Sequence, residues 1–271
     1  MALFRFSPGA GFLALFLVLM LAALSPAVWS QPSIHGAGSS PPGPESGNFE
    51  SGSFEIAQHG HAVGTASFHF TSTKEGYDST SLVKVAMQGL DYALSKTEQL
   101  SPANQLEHVQ LSAIVNGEAV NVVAAPDAAQ FLLNISASGK SSTARLAAHP
   151  GAVFLADFDP GALETLLALA VTQNNRDLWV ILPKNAGAIE PVQLATYADQ
   201  QGTLDGHPIA VHHLVATIAG ANTDLFSGPE NQLLQAELPE EGFALVRKGF
   251  VLTPPAKPVV PLDGVAPPPG I

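Results

Sequence analysis

No cysteine occurs anywhere in the 271 residues. That excludes a disulfide framework, thiolate chemistry and a lipid-attachment cysteine, so an exported form of this chain must rely on its core. Basic residues are scarce as well. Eleven Lys and Arg face 23 Asp and Glu, for a formal net charge of −12 with neutral histidine, and Arg247-Lys248 is the only adjacent basic pair. Phosphate binding needs clustered Lys and Arg, so no nucleic-acid partner is expected, and attachment to an anionic membrane surface is disfavoured on the same ground. Charged residues make up only 13% of the chain, a fraction that suits an exported, β-rich protein. No apolar run reaches the ~20 residues of a spanning helix.

The longest apolar run, Gly11–Leu24, belongs to the features of a secretory signal. Arg5 is the only charged side chain in residues 1–30, and Pro26-Ala27-Val28-Trp29-Ser30 ends in small residues, so cleavage is placed after Ser30. The rival reading keeps the segment as an uncleaved anchor. Residues 31–48 form a Pro/Gly/Ser linker, and residues 253–271 form a proline-rich tail. Neither has enough apolar surface to offset the entropy of ordering. One folded domain is expected over residues 49–252, in an exported, periplasmic or extracellular, soluble protein without a transmembrane segment.

Between these ends the chain reads as short antiparallel strands. The strongest local signal is Asn116-Gly117, the dipeptide of a two-residue type I′ turn. It pairs Val109 with Ala124, Leu111 with Val122, Ala113 with Val120 and Val115 with Glu118. One face then gathers Val109, Leu111, Ala113, Val120, Val122 and Ala124, and the other Gln110, Ser112 and Asn121, as in a sheet with one packed and one wet side. Further strands are expected at residues 53–58, 62–70, 79–87, 92–100, 131–136, 142–147, 178–182, 192–198, 208–218, 232–238 and 243–252. Turns are expected at His59-Gly60-His61, Ser138-Gly139-Lys140, Gln201-Gly202 and Asp205-Gly206. Gly64, inside a strand, marks a bulge or a close backbone approach.

One helix stands out, within Gly151–Pro183. Asp159 is its predicted N-cap and Pro160 its first residue. Leu163, Leu166, Leu167 and Ala170 form a stripe, and Ala162, Leu169 and Val171 widen it, so most of the helix should be buried. The fold class expected is mainly β: a single curved antiparallel sheet, a half-barrel or open barrel, with this helix packed in the concavity.

Candidate chemistry is sparse. His59 and His61 flank a turn and could share an ion, but zinc needs three or four ligands. His212 and His213 alternate along a strand and point to opposite faces. Asp157 and Asp159 are either an acid–base pair or, as favoured here, a strand-end residue and a helix cap. Ser138-Gly139-Lys140-Ser141 lacks the first glycine of a phosphate loop, since Asn134 stands there. No catalytic residue, metal ligand or cofactor is assigned. The apolar helix offers the remaining idea, because mouths of barrels are common ligand sites. Phe154, Leu163, Leu166, Leu167 and Trp179 are the candidate ligand-binding residues.

The hairpin Gly60–Phe68, Asp205-Gly206 with its following strand, Leu233–Pro239 and Arg247-Lys248-Gly249-Phe250 resemble an uncharacterised family of exported bacterial β proteins, a domain of unknown function. Its members resemble the half-barrels of lipoprotein carriers and lipid-binding lipoproteins. The resemblance implies a strongly curved sheet around a helix and transfers no catalytic residue. The missing cysteine implies a soluble rather than a lipid-anchored form. The leading expectation is non-catalytic binding of an apolar or amphipathic, lipid-like ligand. The alternatives are a hydrolase or metal-dependent enzyme using His59, His61 and nearby acids, and a structural or partner-binding module without a small ligand.

Overall fold

The Asn116-Gly117 turn closes as expected, with φ of 52° and 84° at its two residues. It joins β5 (Leu106–Val115) to β6 (Glu118–Asp127) in the register read from the sequence. Val109, Leu111, Ala113, Val122 and Ala124 are buried, while Gln110, Ser112 and Asn121 are exposed. The same alternation builds the strands before and after it in this computed structural model, which describes residues 51–172, 177–184 and 187–254. The signal segment, the linker and nearly all of the proline-rich tail lie outside the described residues.

The first half is a meander. β1 (Ser51–Gln58), β2 (His61–Ser72), β3 (Tyr77–Met87), β4 (Leu90–Leu100), β5, β6, β7 (Gln130–Ala137) and β8 (Lys140–Ala147) each pair antiparallel with the next. Gly64 serves both predicted roles. A Cβ there would lie 2.2 Å from the Lys84 carbonyl, and the β1–β2 register shifts beside its partner Ile56.

The chain then inserts β9 (Ala152–Phe154), α1 (Pro160–Thr172) and β10 (Trp179–Leu182). β9 and β10 run parallel, with Val153 opposite Val180. The expected open, curved antiparallel sheet with one helix is what forms, and β9–β10 adds a parallel pair to it. Two short apolar strands on either side of one helix allow the crossover that parallel pairing requires.

The second half returns through β11 (Ala188–Thr196), β12 (Gln200–Leu204), β13 (His207–Ile218), β14 (Ala221–Ser227), β15 (Leu233–Leu238), β16 (Phe243–Arg247) and β17 (Phe250–Thr253). β16 pairs with β1 and so joins the two halves into one sheet. Pairing runs from β8 back to β1, on through β16, β15, β14 and β13, then β11, β10 and β9. The sheet does not close. Three details differ from expectation. Gln201-Gly202 lies inside β12, β14 was not foreseen, and residues 243–252 break at Lys248-Gly249, where Gly249 has φ 83°. β12 pairs with both β13 and β17, and a small apolar cluster of Val211, Phe226, Leu234 and Phe250 forms there apart from the main core.

α1 rests against β2, β3, β9 and β15. Asp159 caps it: the Ala162 N–H donates to Asp159 Oδ1 at 3.2 Å. Gly161 allows the close approach, since a Cβ there would lie 2.6 Å from Ser81 Oγ. Its polar residues are buried with partners. Glu164 Oε2 accepts the Leu233 N–H at 2.8 Å, and the Thr165 hydroxyl donates to the Gly161 carbonyl. Such pairing offsets the cost of burying polar groups.

Candidate functional site

The face formed by β5 and β6 was expected to pack, and most of it does. Part of it instead borders an apolar cavity of about 290 Å³. Leu111, Ala113 and Val115 of β5 meet Val120 and Val122 of β6 there, with Ile135 and Ala137 of β7. Opposite them lie Leu155, Ala156 and Asp157, which follow β9, and Leu182, Pro183 and Lys184 at the end of β10. Tyr92 of β4 completes the wall. The parallel β9–β10 pair is therefore what brings two distant segments to the cavity.

The lining has a buried end and an accessible end. Leu111, Val122, Leu155 and Leu182 are buried, whereas Val115, Val120, Ile135, Ala137, Pro183 and Lys184 are partly exposed. Lys184 and Asp157 form an ion pair at 2.7 Å, with side chains 36% and 16% exposed. Burial pushes the Asp157 carboxyl up from its ordinary range, and the Lys184 ammonium opposes that rise. Tyr92 packs its ring 6.4 Å from Phe158, and among the described residues its hydroxyl forms no hydrogen bond. Burial first, then the charges of Asp157 and Asp159, hold its phenol well above its ordinary pKa, so it keeps its proton.

A second ionic cluster sits in the core. Lys96 of β4 binds Glu98 at 2.9 Å and Asp159 at 2.7 Å, and all three side chains are fully buried. Burial pulls the lysine down, but Asp159 and Glu98 outweigh it and its pKa ends above the ordinary value. Burial raises Glu98 against the opposing pull of Lys96. Lys96 and Glu98 were missed in the sequence, although the signal was there. Leu90, Tyr92, Leu94, Lys96, Glu98 and Leu100 alternate with exposed residues, so period two places both charges on the inner face. Asp157 and Asp159 thus serve separate lysines and do not form an acid–base pair.

The expected ligand-binding residues take other places. Phe154, Leu163, Leu166 and Leu167 are buried in the main core, and Trp179 stacks on His149 with centroids 3.7 Å apart. None of the five is in the lining of the 290 Å³ cavity. Leu163 borders a gap of about 20 Å³. A space of that size holds about one water.

The histidines separate as their spacing implied. His59 and His61 are exposed at the β1–β2 turn. No group of three His, Asp or Glu side chains that could hold a metal ion forms among the described residues. His212 faces outward, its Nδ1 3.0 Å from Asp199 Oδ1. His213 is buried, stacked on Phe226, with Nε2 2.7 Å from Asp224 Oδ1 and Nδ1 3.2 Å from Gln200 Nε2. It is held on both ring nitrogens inside the smaller layer. Ser138-Gly139 is a hairpin turn with φ of 49° and 71°. Comparison with protein-family models, with curated proteins and with solved structures gave no match.

Proposed function

We propose that this protein binds a small apolar or amphipathic molecule in the cavity between β4–β7 and the ends of β9 and β10, and carries or stores it unchanged. The observation that carries this reading is the cavity itself: about 290 Å³, apolar at its buried end, with its ionic pair toward the accessible end. An apolar cavity stays dry, and one of about 150 Å³ already binds benzene. Burying the apolar part of a guest drives binding by about 25 cal/mol per Å² removed from water. The signal-like composition of residues 1–30 is what favours an exported carrier. On this reading the guest lies against the β5–β6 face rather than along the helix stripe of Leu163 to Leu167. An enzyme built on His59 and His61 draws no support from their exposed turn.

The test is mass spectrometry of an organic extract of the protein, purified without detergent from a host that exports it. A stoichiometric apolar compound is expected. A clean extract from folded protein that also fails to take up added single-chain amphiphiles would contradict the proposal.

A further inference from the structure

The cavity has one polar corner. Tyr92, Asp157 and Lys184 are the three lining residues with hydrogen-bonding side chains; the rest are apolar. Asp157 Oδ2 meets Lys184 Nζ at 2.7 Å, and Asp157 Oδ1 is buried without a hydrogen-bond partner. Among the described residues the Tyr92 hydroxyl forms no hydrogen bond, and it is a donor. A donor with no partner beside an apolar space favours an acceptor on the guest. A charged end fares worse, because the Asp157–Lys184 pair attracts it with one member and repels it with the other, which leaves the loss of its water uncompensated. Size sets the rest. The cavity is about twice the 150 Å³ that holds benzene, which allows roughly a dozen non-hydrogen atoms.

Resting on the binding reading above, we propose that the guest is a single-chain molecule of roughly that size with an uncharged, acceptor-bearing end such as an ester carbonyl, held by the Tyr92 hydroxyl. A two-chain lipid does not fit, so the chain of the guest enters at the accessible end and its polar end stays near Asp157 and Lys184.

The experiment is titration calorimetry of the purified protein, stripped of carried-over apolar molecules, with methyl decanoate, sodium decanoate and decylammonium chloride at pH 7. The ester is expected to bind at least about tenfold more tightly than either ion, and Tyr92→Phe to weaken the ester about fivefold while leaving the ions unchanged. Equal affinities for the three overturn the polar-end assignment and leave the cavity reading standing. Binding of none overturns both. Unchanged ester affinity in Tyr92→Phe overturns the role of Tyr92. Should that variant fail to fold, the three-ligand series on the native protein decides alone.

Discussion

Two lysine–aspartate pairs, whose aspartates stand two residues apart in the chain, do different work. Asp159 meets Lys96 at 2.7 Å with both side chains fully buried, and Asp157 meets Lys184 at the same distance with both partly exposed. Phe158 between them has φ 56°, a left-handed backbone that turns the chain sharply, and its ring packs against Tyr92 and Phe243. The inner pair caps α1 and ties it to β4, where space is filled. The outer pair borders space that is not filled. The difference teaches that an ion pair's distance says little about its role; burial and what lies beside it decide. A buried pair that loses one partner leaves an uncompensated charge, whereas an exposed pair is screened and weak.

The comparison breaks most visibly at the inner pair. Lys96→Met leaves Glu98 and Asp159 buried without a cation, and it should cost about 3–5 kcal/mol in urea unfolding. The loss should depend on pH with a definite sign. Carboxyls left without the ammonium rise in pKa, so their favourable contribution exists when protonated, below the ordinary carboxyl range, and is lost as pH rises. Lys96→Met should therefore be relatively more stable at pH 5 than at pH 8, and a pH-independent loss would contradict the pairing. At the outer pair, Lys184→Met should cost about 1 kcal/mol or less. Equal losses from the two variants would erase the distinction drawn between the pairs.

Ala113→Phe sharpens the contrast from the other side. Ala113 lines the cavity, so a larger side chain should enter it and lower methyl decanoate affinity more than about tenfold, with Tm held within a few degrees because a void is filled rather than a core overpacked. The smallest expected effect concerns pH. Because burial raises Asp157, it protonates on acidification sooner than an ordinary aspartate and unmasks the Lys184 charge. Affinity for decyl sulfate, which stays anionic, should rise as pH falls from 7 to 5. Titration calorimetry at the two values checks this, and flat affinity would contradict it.

Much of the fold was legible in the sequence because its signals are local. The Asn116-Gly117 turn set the register of β5 and β6, Asp159 and Pro160 marked the start of α1, and apolar residues around most of its surface marked that helix as buried. The parallel β9–β10 pairing was not legible, since two apolar runs around a helix carry no direction of pairing. Nor was the return of β16 to β1, which joins residues about 190 positions apart and depends on the whole sheet. The cavity was hidden for the same reason. The helix stripe looked like a ligand surface, yet β2, β3, β9 and β15 cover it. The cavity arises because the chain beyond β9 and β10 leaves part of the β5–β6 face uncovered, and the pairing of these strands brings Lys184 to Asp157 although α1 separates them in sequence. No periodicity encodes such a gap.

The most direct measurement is a crystal structure under xenon pressure, since xenon enters dry apolar cavities. The account expects xenon among Tyr92, Leu111, Val122 and Leu155, and none beside Leu166 and Leu167. Xenon absent from the first place, or present at the second, would contradict it.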